Sequence, residues 1–369
     1  MSRRRRRAKT ARSTTTSDTI WGDVCQRIAD QQVIPIIGKN LPMKQIFQAL
    51  PTAEDDSTNQ LLDYRPYKPT VWERLAANWA EDINYPLPDR YRLEAVARYH
   101  AFHHTTKRLD IVSSKQDYLN FLIQSLYEVA EQDDTVADLV PELETIVPPP
   151  PLTELCKSLE YPPYGQADSS YSSLKLLAQL TLPVYITTSQ HRFLADLLEE
   201  QKLEPQVRVC PWYRENPEPL EIERDNPQKP LVYHLFGLAE EPESLVLSED
   251  DYMQFLIKLA QPLDDKNQIL PPDIVGRMAE SSLMMIGYEL YDWEFRAMFQ
   301  VVEKATQHRR RGNLLFQLEP SAIARIEIDG PAAQKYLDHH FKREQYRIMW
   351  GDSEAMVKEL WQEWQTWQG

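Results

Sequence analysis

Three of the ten glycines in this 369-residue chain, Gly38, Gly237 and Gly287, stand directly after short apolar runs: Val33–Ile37, Leu231–Phe236 and Leu283–Ile286. Glycine in that place serves chemistry done by backbone, because it tolerates positive φ and lets main-chain groups come close to a ligand. Ligands of open α/β sheets sit beyond the carboxyl ends of the strands, so these glycines are candidates for a nucleotide cradle. A plain strand-to-loop turn uses the same residue in the same position. Other reactive side chains point nowhere as a group. His100, His103 and His104 lack an acidic or cysteine partner at ligand spacing, so no metal site is read from them. Cys25, Cys156 and Cys210 are widely separated and contain no Cys-x-x-Cys pair, which leaves three ordinary buried thiols.

The elements that must position the glycines alternate in type. A helix over Ile20–Ala29 leads into the strand Val33–Ile37, and a helix restarts near Met43–Phe47 after Gly38. From about Pro51 to Gln179 the chain is helix-rich and aromatic, and reads as a helical insertion; Tyr118, Leu119, Leu122, Leu126 and Val129 recur there at helical spacing and predict one packed face. Strand and helix then alternate again: Val184–Thr187, a helix with Phe193, Leu194, Leu197 and Leu198 inward, Val207–Val209, the Leu231 and Leu283 strands, a helix through Trp293–Met298, and strands at Leu314–Gln317 and Tyr346–Met349. A last helix carries Val357, Leu360, Trp361, Trp364 and Trp367 on one stripe, a spacing expected of core packing. The fold class is therefore α/β, a Rossmann-like, mostly parallel sheet with helices on both faces and a helical insertion after the first strand-loop-helix.

Charge divides the chain. Residues 1–17 hold Arg3, Arg4, Arg5, Arg6, Arg7, Lys9 and Arg12 and no acid, whereas the remainder carries 34 basic and 56 acidic side chains, a net of −22. The body would repel nucleic acid, and only the Arg3 to Arg7 tail offers a surface for it. A solvated, disordered tail is the alternative. At 42% hydrophobic residues the chain can fold, without an apolar run long enough for a membrane span or a leader, so the expected location is cytoplasmic.

Five segments in order carry a resemblance: Val33–Gly38, Tyr185–Thr188, Val232–Gly237, Leu245–Tyr252 and Met285–Asp292. Together they resemble the sirtuin-like NAD-binding domain of bacterial conflict and defence proteins, over roughly residues 20 to 368. The resemblance implies a Rossmann-type pocket for NAD and, in active relatives, its hydrolysis to nicotinamide and ADP-ribose. It also implies site residues: Gly38, Lys39 and Asn40 of the first loop, Thr187 and Thr188 of the second motif, Phe236 and Gly237 of the third, and Gly287, Glu289 and Asp292 of the last contact the dinucleotide.

The departures lie where the chemistry would be done. A Gly-Ala-Gly-x-Ser loop is replaced by Gly38-Lys39-Asn40-Leu41-Pro42, in which Lys39 can pair with a phosphate and Asn40 can donate to an oxygen. An asparagine and an aspartate are replaced by Ser189 and His191, the latter expected at the start of a helix in a capping or exposed position. The histidine directly before the third glycine is replaced by Phe236. His234, two residues earlier, is expected on the same sheet face as Phe236 because strand side chains repeat with period two. Glu289 or Asp292 can accept from ribose hydroxyls, and Asp292 can instead cap the helix that follows.

Three functions follow from the resemblance and its departures. The first is a module with reduced catalysis that binds NAD or a related nucleotide and acts as a sensor or effector in a defence system, with a protein partner or self-assembly passing the signal on. The second is an active NAD glycohydrolase in which His234, Ser189 and His191 have taken over catalysis. The third is an interaction scaffold with an empty pocket. The absence of a cysteine quartet disfavours zinc-containing deacylation.

Overall fold

The computed structural model describes residues 16–50, 69–104, 110–165, 172–215, 221–223, 226–261, 269–290, 292–306, 313–317, 328–343 and 345–368. The Arg3 to Arg7 tail lies outside them. Helix α1 (Thr16–Ala29) leads into β1 (Val33–Ile37) and α2 (Asn40–Ile46). Between α2 and β2 (Val184–Thr187) the described elements are helical: α3 (Val71–Asp82), α4 (Leu93–His104), α5 (Asp110–Glu131), α6 (Val140–Glu144), α7 (Leu152–Ser158) and α8 (Ser173–Gln179). There follow α9 (Phe193–Glu200), β3 (Gln206–Val209), β4 (Leu231–His234), α10 (Glu249–Leu259), α11 (Pro272–Glu280), β5 (Ser282–Ile286) and α12 (Trp293–Thr306). The described elements end with β6 (Asn313–Gln317), α13 (Gly330–Arg343), β7 (Tyr346–Trp350) and α14 (Ser353–Gln368).

The seven strands form one sheet in the order β3-β4-β2-β1-β5-β6-β7, and every strand pair is parallel. A parallel sheet needs cover on both faces, and its central strands are buried from end to end: all five residues of β1 and of β5 are buried. Alternate residues serve opposite faces. Val33 and Ile37 join a core with α1, α9, α14 and the helices before β2, while Ile34 and Ile36 join one with α10, α11, α12 and α13. Pro35 is unusual in a central strand because it has no N–H to give; the ladder from β1 to β2 begins beyond it, at Ile36 opposite Ile186.

The helices before β2 are joined tightly to the body. The predicted stripe of α5 is buried throughout, from Tyr118 to Val129. Lys115 of the same helix is itself buried and donates to the carboxylate of Asp251 at 3.0 Å and to the Leu245 carbonyl at 2.5 Å. Burial pushes the Lys115 pKa down against the pull of Asp251, so this contact fixes α5 to the amino end of α10 with a fully engaged ammonium. Helix α3 starts with a capping box in which Thr70 and Glu73 exchange hydrogen bonds.

Chain direction makes one place special. From β1 the chain passes to β2 on one side of it, and from β4 it crosses back to β5 on the other side. The carboxyl ends of β1 and β5 therefore flank the topological switch point, where open α/β sheets bind their ligands.

Candidate functional site at the carboxyl ends of the central strands

Gly38 and Gly287 meet at this switch point, and what each approaches is the other. The Gly38 N–H donates to the Ile286 carbonyl at 2.8 Å, and a Cβ on Gly38 would collide with the Gly287 carbonyl. Gly287, at φ +80°, stands against Leu41. Gly237 has φ +92°, and a Cβ there would strike the Ser244 backbone. The three glycines are required where loop crosses loop, a close approach of chain to chain.

Around the first pair stands an acidic group. Glu294, in the first turn of α12, is 1% exposed. Its Oε1 accepts from the Lys39 N–H at 3.1 Å and from the Thr188 hydroxyl, which is itself 3.2 Å from the Tyr288 hydroxyl. Its Oε2 has no hydrogen-bond partner among the described residues. Burial raises the pKa of Glu294, against the charge of Lys39 and the bonds from Thr188 and the Lys39 N–H. Glu289 is pushed up to about 7 by burial and by Glu73 and Glu294, with Lys39 and Lys44 opposing. Asp292 is raised well above the usual carboxylate range by burial and by Glu289. Asp292 directly precedes α12, where its carbonyl accepts from the Arg296 N–H. The Lys39 ammonium stands 4.3 Å from the centre of the Trp72 ring, an arrangement of cation over aromatic face. Lys44 is engaged elsewhere, with Asp352 at 2.9 Å. Asn40 Nδ2 and Trp72 Nε1 are buried without a hydrogen-bond partner among the described residues.

A second group gathers at the ends of β2 and β4. The Thr187 hydroxyl donates to the Ile37 carbonyl at 3.0 Å and accepts from the Ser189 N–H at 3.0 Å. The Ser189 hydroxyl accepts from the His191 N–H at 3.4 Å in a local turn. His234 is 0% exposed and its Nδ1 lies 2.9 Å from the Ser189 carbonyl. A carbonyl only accepts, so Nδ1 carries the proton and donates. Burial lowers the pKa of His234 to about 4, which leaves the ring neutral at pH 7 and Nε2 with a lone pair; that atom has no partner among the described residues. Burial and the neighbouring His234 lower His191 to about 3. Ser189, His191 and His234 are thus brought together, and His191 is buried, not exposed as its position ahead of a helix suggested.

Phe236 stands apart from them. Strand β4 ends at His234, two residues earlier than the apolar run predicts, because the chain turns through Gly237 and the Phe236 carbonyl accepts from the Val246 N–H. The period of two does not survive the turn. Val232, of the same parity as His234, packs into the core with α9, whereas Phe236 packs with α10 in the other, edge-on to Tyr252 and Phe255 with ring centres 5.5 and 5.2 Å apart. The expectation that His234 and Phe236 share a sheet face is therefore corrected.

Glu294, Tyr288, Trp72 and Gln190 were not anticipated. Gln190 donates to the Val246 carbonyl at 3.1 Å and joins the loop after β2 to the one after β4. Glu294 did carry a signal: with Ala297, Met298, Val301 and Ala305 it falls on the buried stripe of α12, where an acid is out of place. Trp72 carried none.

Among the described residues no group of three or more His, Cys, Asp or Glu is arranged to hold a metal ion, and no helix is long and apolar enough to cross a membrane. A cavity of about 770 Å³ opens at the other end of the sheet, lined by the starts of β1, β5, β6 and β7 together with α1 and α13; that is the amino end of the strands, away from the switch point.

No curated protein matches the chain. Residues 183–341 match the family model described as the SIR2-like domain. The match includes the residues at the ends of β2, β4 and β5, from Thr187 to Asp292, and excludes Gly38, Lys39 and Asn40. The parallel sheet and this match agree, and the chain carries a SIR2-like domain over residues 183–341 and is in that sense sirtuin-like.

Proposed function

We propose that this chain binds NAD or a related nucleotide at the carboxyl ends of β1, β2, β4 and β5, with catalysis reduced, and that it passes ligand occupancy to a protein partner or to further copies of itself in a defence system. One observation carries the binding: Asn40 Nδ2, Trp72 Nε1 and His234 Nε2 are buried around these loops without a hydrogen-bond partner among the described residues. Native proteins pair nearly all such atoms, and a set of them at one end of a sheet is what a polar ligand satisfies. The reduced catalysis rests on Phe236, whose ring is core packing, and on Ser189 and His191, which stand where the resemblance implies an asparagine and an aspartate and of which serine is too short to match an amide's paired donor and acceptor. The defence role and the nucleotide's identity rest on the sequence resemblance.

The fit to a dinucleotide is uneven. Near β2 and β4, His234 Nε2 offers an acceptor to a nucleoside hydroxyl. The loop after β1 does not suit a diphosphate in this conformation, since its Gly38 and Lys39 N–H groups are already bonded to Ile286 and Glu294.

An active glycohydrolase is favoured by one specific feature, the neutral His234 ring with its free Nε2 lone pair, which has the protonation state of a general base. The two readings part in one assay. Calorimetry of the full chain with NAD and ADP-ribose, run beside measurement of nicotinamide release, gives binding with little release on the first reading. Turnover would replace it with the second, and the absence of heat with every nucleotide would leave a scaffold.

A further inference from the structure

The loop after β1 offers main-chain donors at the switch point, the place where a doubly wound sheet receives phosphate. One of these donors is taken by a side chain of the same protein that carries the same charge as phosphate. Glu294 Oε1 accepts from the Lys39 N–H and from the Thr188 hydroxyl, and so spans the loops after β1 and β2. Glu294 is buried and its second oxygen has no hydrogen-bond partner among the described residues. Core packing alone gives no reason for a carboxylate here: the rest of its stripe on α12 is Ala297, Met298, Val301 and Ala305. Glu289 and Asp292 stand close enough to act on it electrostatically, and the cation they share is Lys39, over the ring of Trp72. A diphosphate arriving at this loop would meet a bonded carboxylate and two further acids.

Resting on the nucleotide-binding reading above, we propose that Glu294 is the resident anion of the loop after β1 and sets its selectivity: a nucleotide diphosphate binds there only by displacing this carboxylate, whereas a phosphate-free nucleoside does not compete with it. The displaced carboxylate would lose the Lys39 N–H, and its place beside that N–H would pass to a phosphate oxygen. Lys39 would then face the diphosphate in place of the acids it now serves.

Calorimetric titration of the full chain with ADP-ribose and with adenosine tests this, using wild type, Glu294→Gln and Glu294→Ala, each checked for wild-type circular dichroism and cooperative melting. Glutamine keeps the shape and an acceptor for the Lys39 N–H, so it carries the test if the alanine variant does not fold. Removing a like charge beside a dianion predicts that ADP-ribose binds at least about tenfold more tightly to Glu294→Gln than to wild type, with adenosine affinity unchanged. Equal or weaker ADP-ribose binding by the variant overturns the proposal while wild-type binding leaves the nucleotide reading standing. ADP-ribose and adenosine silent against all three proteins overturns both.

Discussion

The two sides of the switch-point crevice are shaped by the same force acting on opposite chemistry. At the ends of β1 and β5, burial pushes carboxylates towards their protonated form, with Glu289 at about 7 and Asp292 well above its usual range. At the ends of β2 and β4, burial pushes imidazoles towards their neutral form, with His191 at about 3 and His234 at about 4. Glu289, Asp292 and the two histidines shed charge because the interior disfavours the ionised state, whereas Glu294 keeps the partners of a carboxylate in the Lys39 N–H, the Thr188 hydroxyl and the Lys39 charge. The two sides differ in what is left free. The acidic side uses its Gly38 and Lys39 N–H groups internally and leaves Asn40 Nδ2, Trp72 Nε1 and Glu294 Oε2 without a partner among the described residues, whereas the histidine side leaves a lone pair on His234 Nε2.

The comparison breaks most easily at its hinge. Gly38→Ala places a Cβ against the Gly287 backbone, which cannot move aside as a side chain would; we expect a loss of about 3 kcal/mol or more in denaturant unfolding, at the upper end of overpacking effects. A variant as stable as wild type would show that the two loops do not depend on this approach. Next in size is Phe236→His, which supplies the histidine that the sequence resemblance implies but buries an imidazole between Tyr252 and Phe255. A loss of about 2 kcal/mol is expected, as for a buried polar group without a partner, with no gain in nicotinamide release. Release gained by this variant would contradict the separation of Phe236 from His234.

Smallest is the difference in pH response between the sides. The folded-state pKa of His234 is depressed, so the unfolded chain takes up a proton that the native protein refuses as pH falls below about 6.5, and stability is lost towards pH 4. Glu289 is raised, so its protonated native form is stabilised as pH falls below about 7 and its contribution is lost as pH rises through that value. The melting temperature of Glu289→Gln should therefore exceed wild type at pH 8 and converge with it near pH 5. For His234→Asn the deficit against wild type should shrink on acidification, by about 1 kcal/mol at pH 5.5 if one pKa unit corresponds to 1.36 kcal/mol. Parallel profiles for both variants would remove the electrostatic distinction.

The fold was legible because its inner strands β1, β2, β4, β5 and β6 are buried on both faces, which makes each of them a short apolar run that needs no partner to be seen. Its boundaries were less so: Leu235 and Phe236 continue the run of β4 in composition, but the turn through Gly237 ends the strand at His234. The glycines announced close approach, and composition could not tell whether ligand or chain would be approached. Of the site, Ser189, His191 and His234 were identified by their positions along the sequence, but the joining of His234 to the Ser189 carbonyl depends on the register of β2 against β4. Glu294 was hidden among the apolar residues of α12 because its partners, Lys39 and Thr188, lie 255 and 106 residues away.

Nicotinamide release from NAD by the full chain tests most directly whether this sirtuin-like site has lost its catalytic side. With Phe236 in the core and Ser189 and His191 in place of an amide and an acid, release should fall several orders of magnitude below that of an active glycohydrolase, because residues that act as a unit lose most of their effect together. Rapid release that is abolished by His234→Asn would contradict this and identify His234 as the group that took the work over.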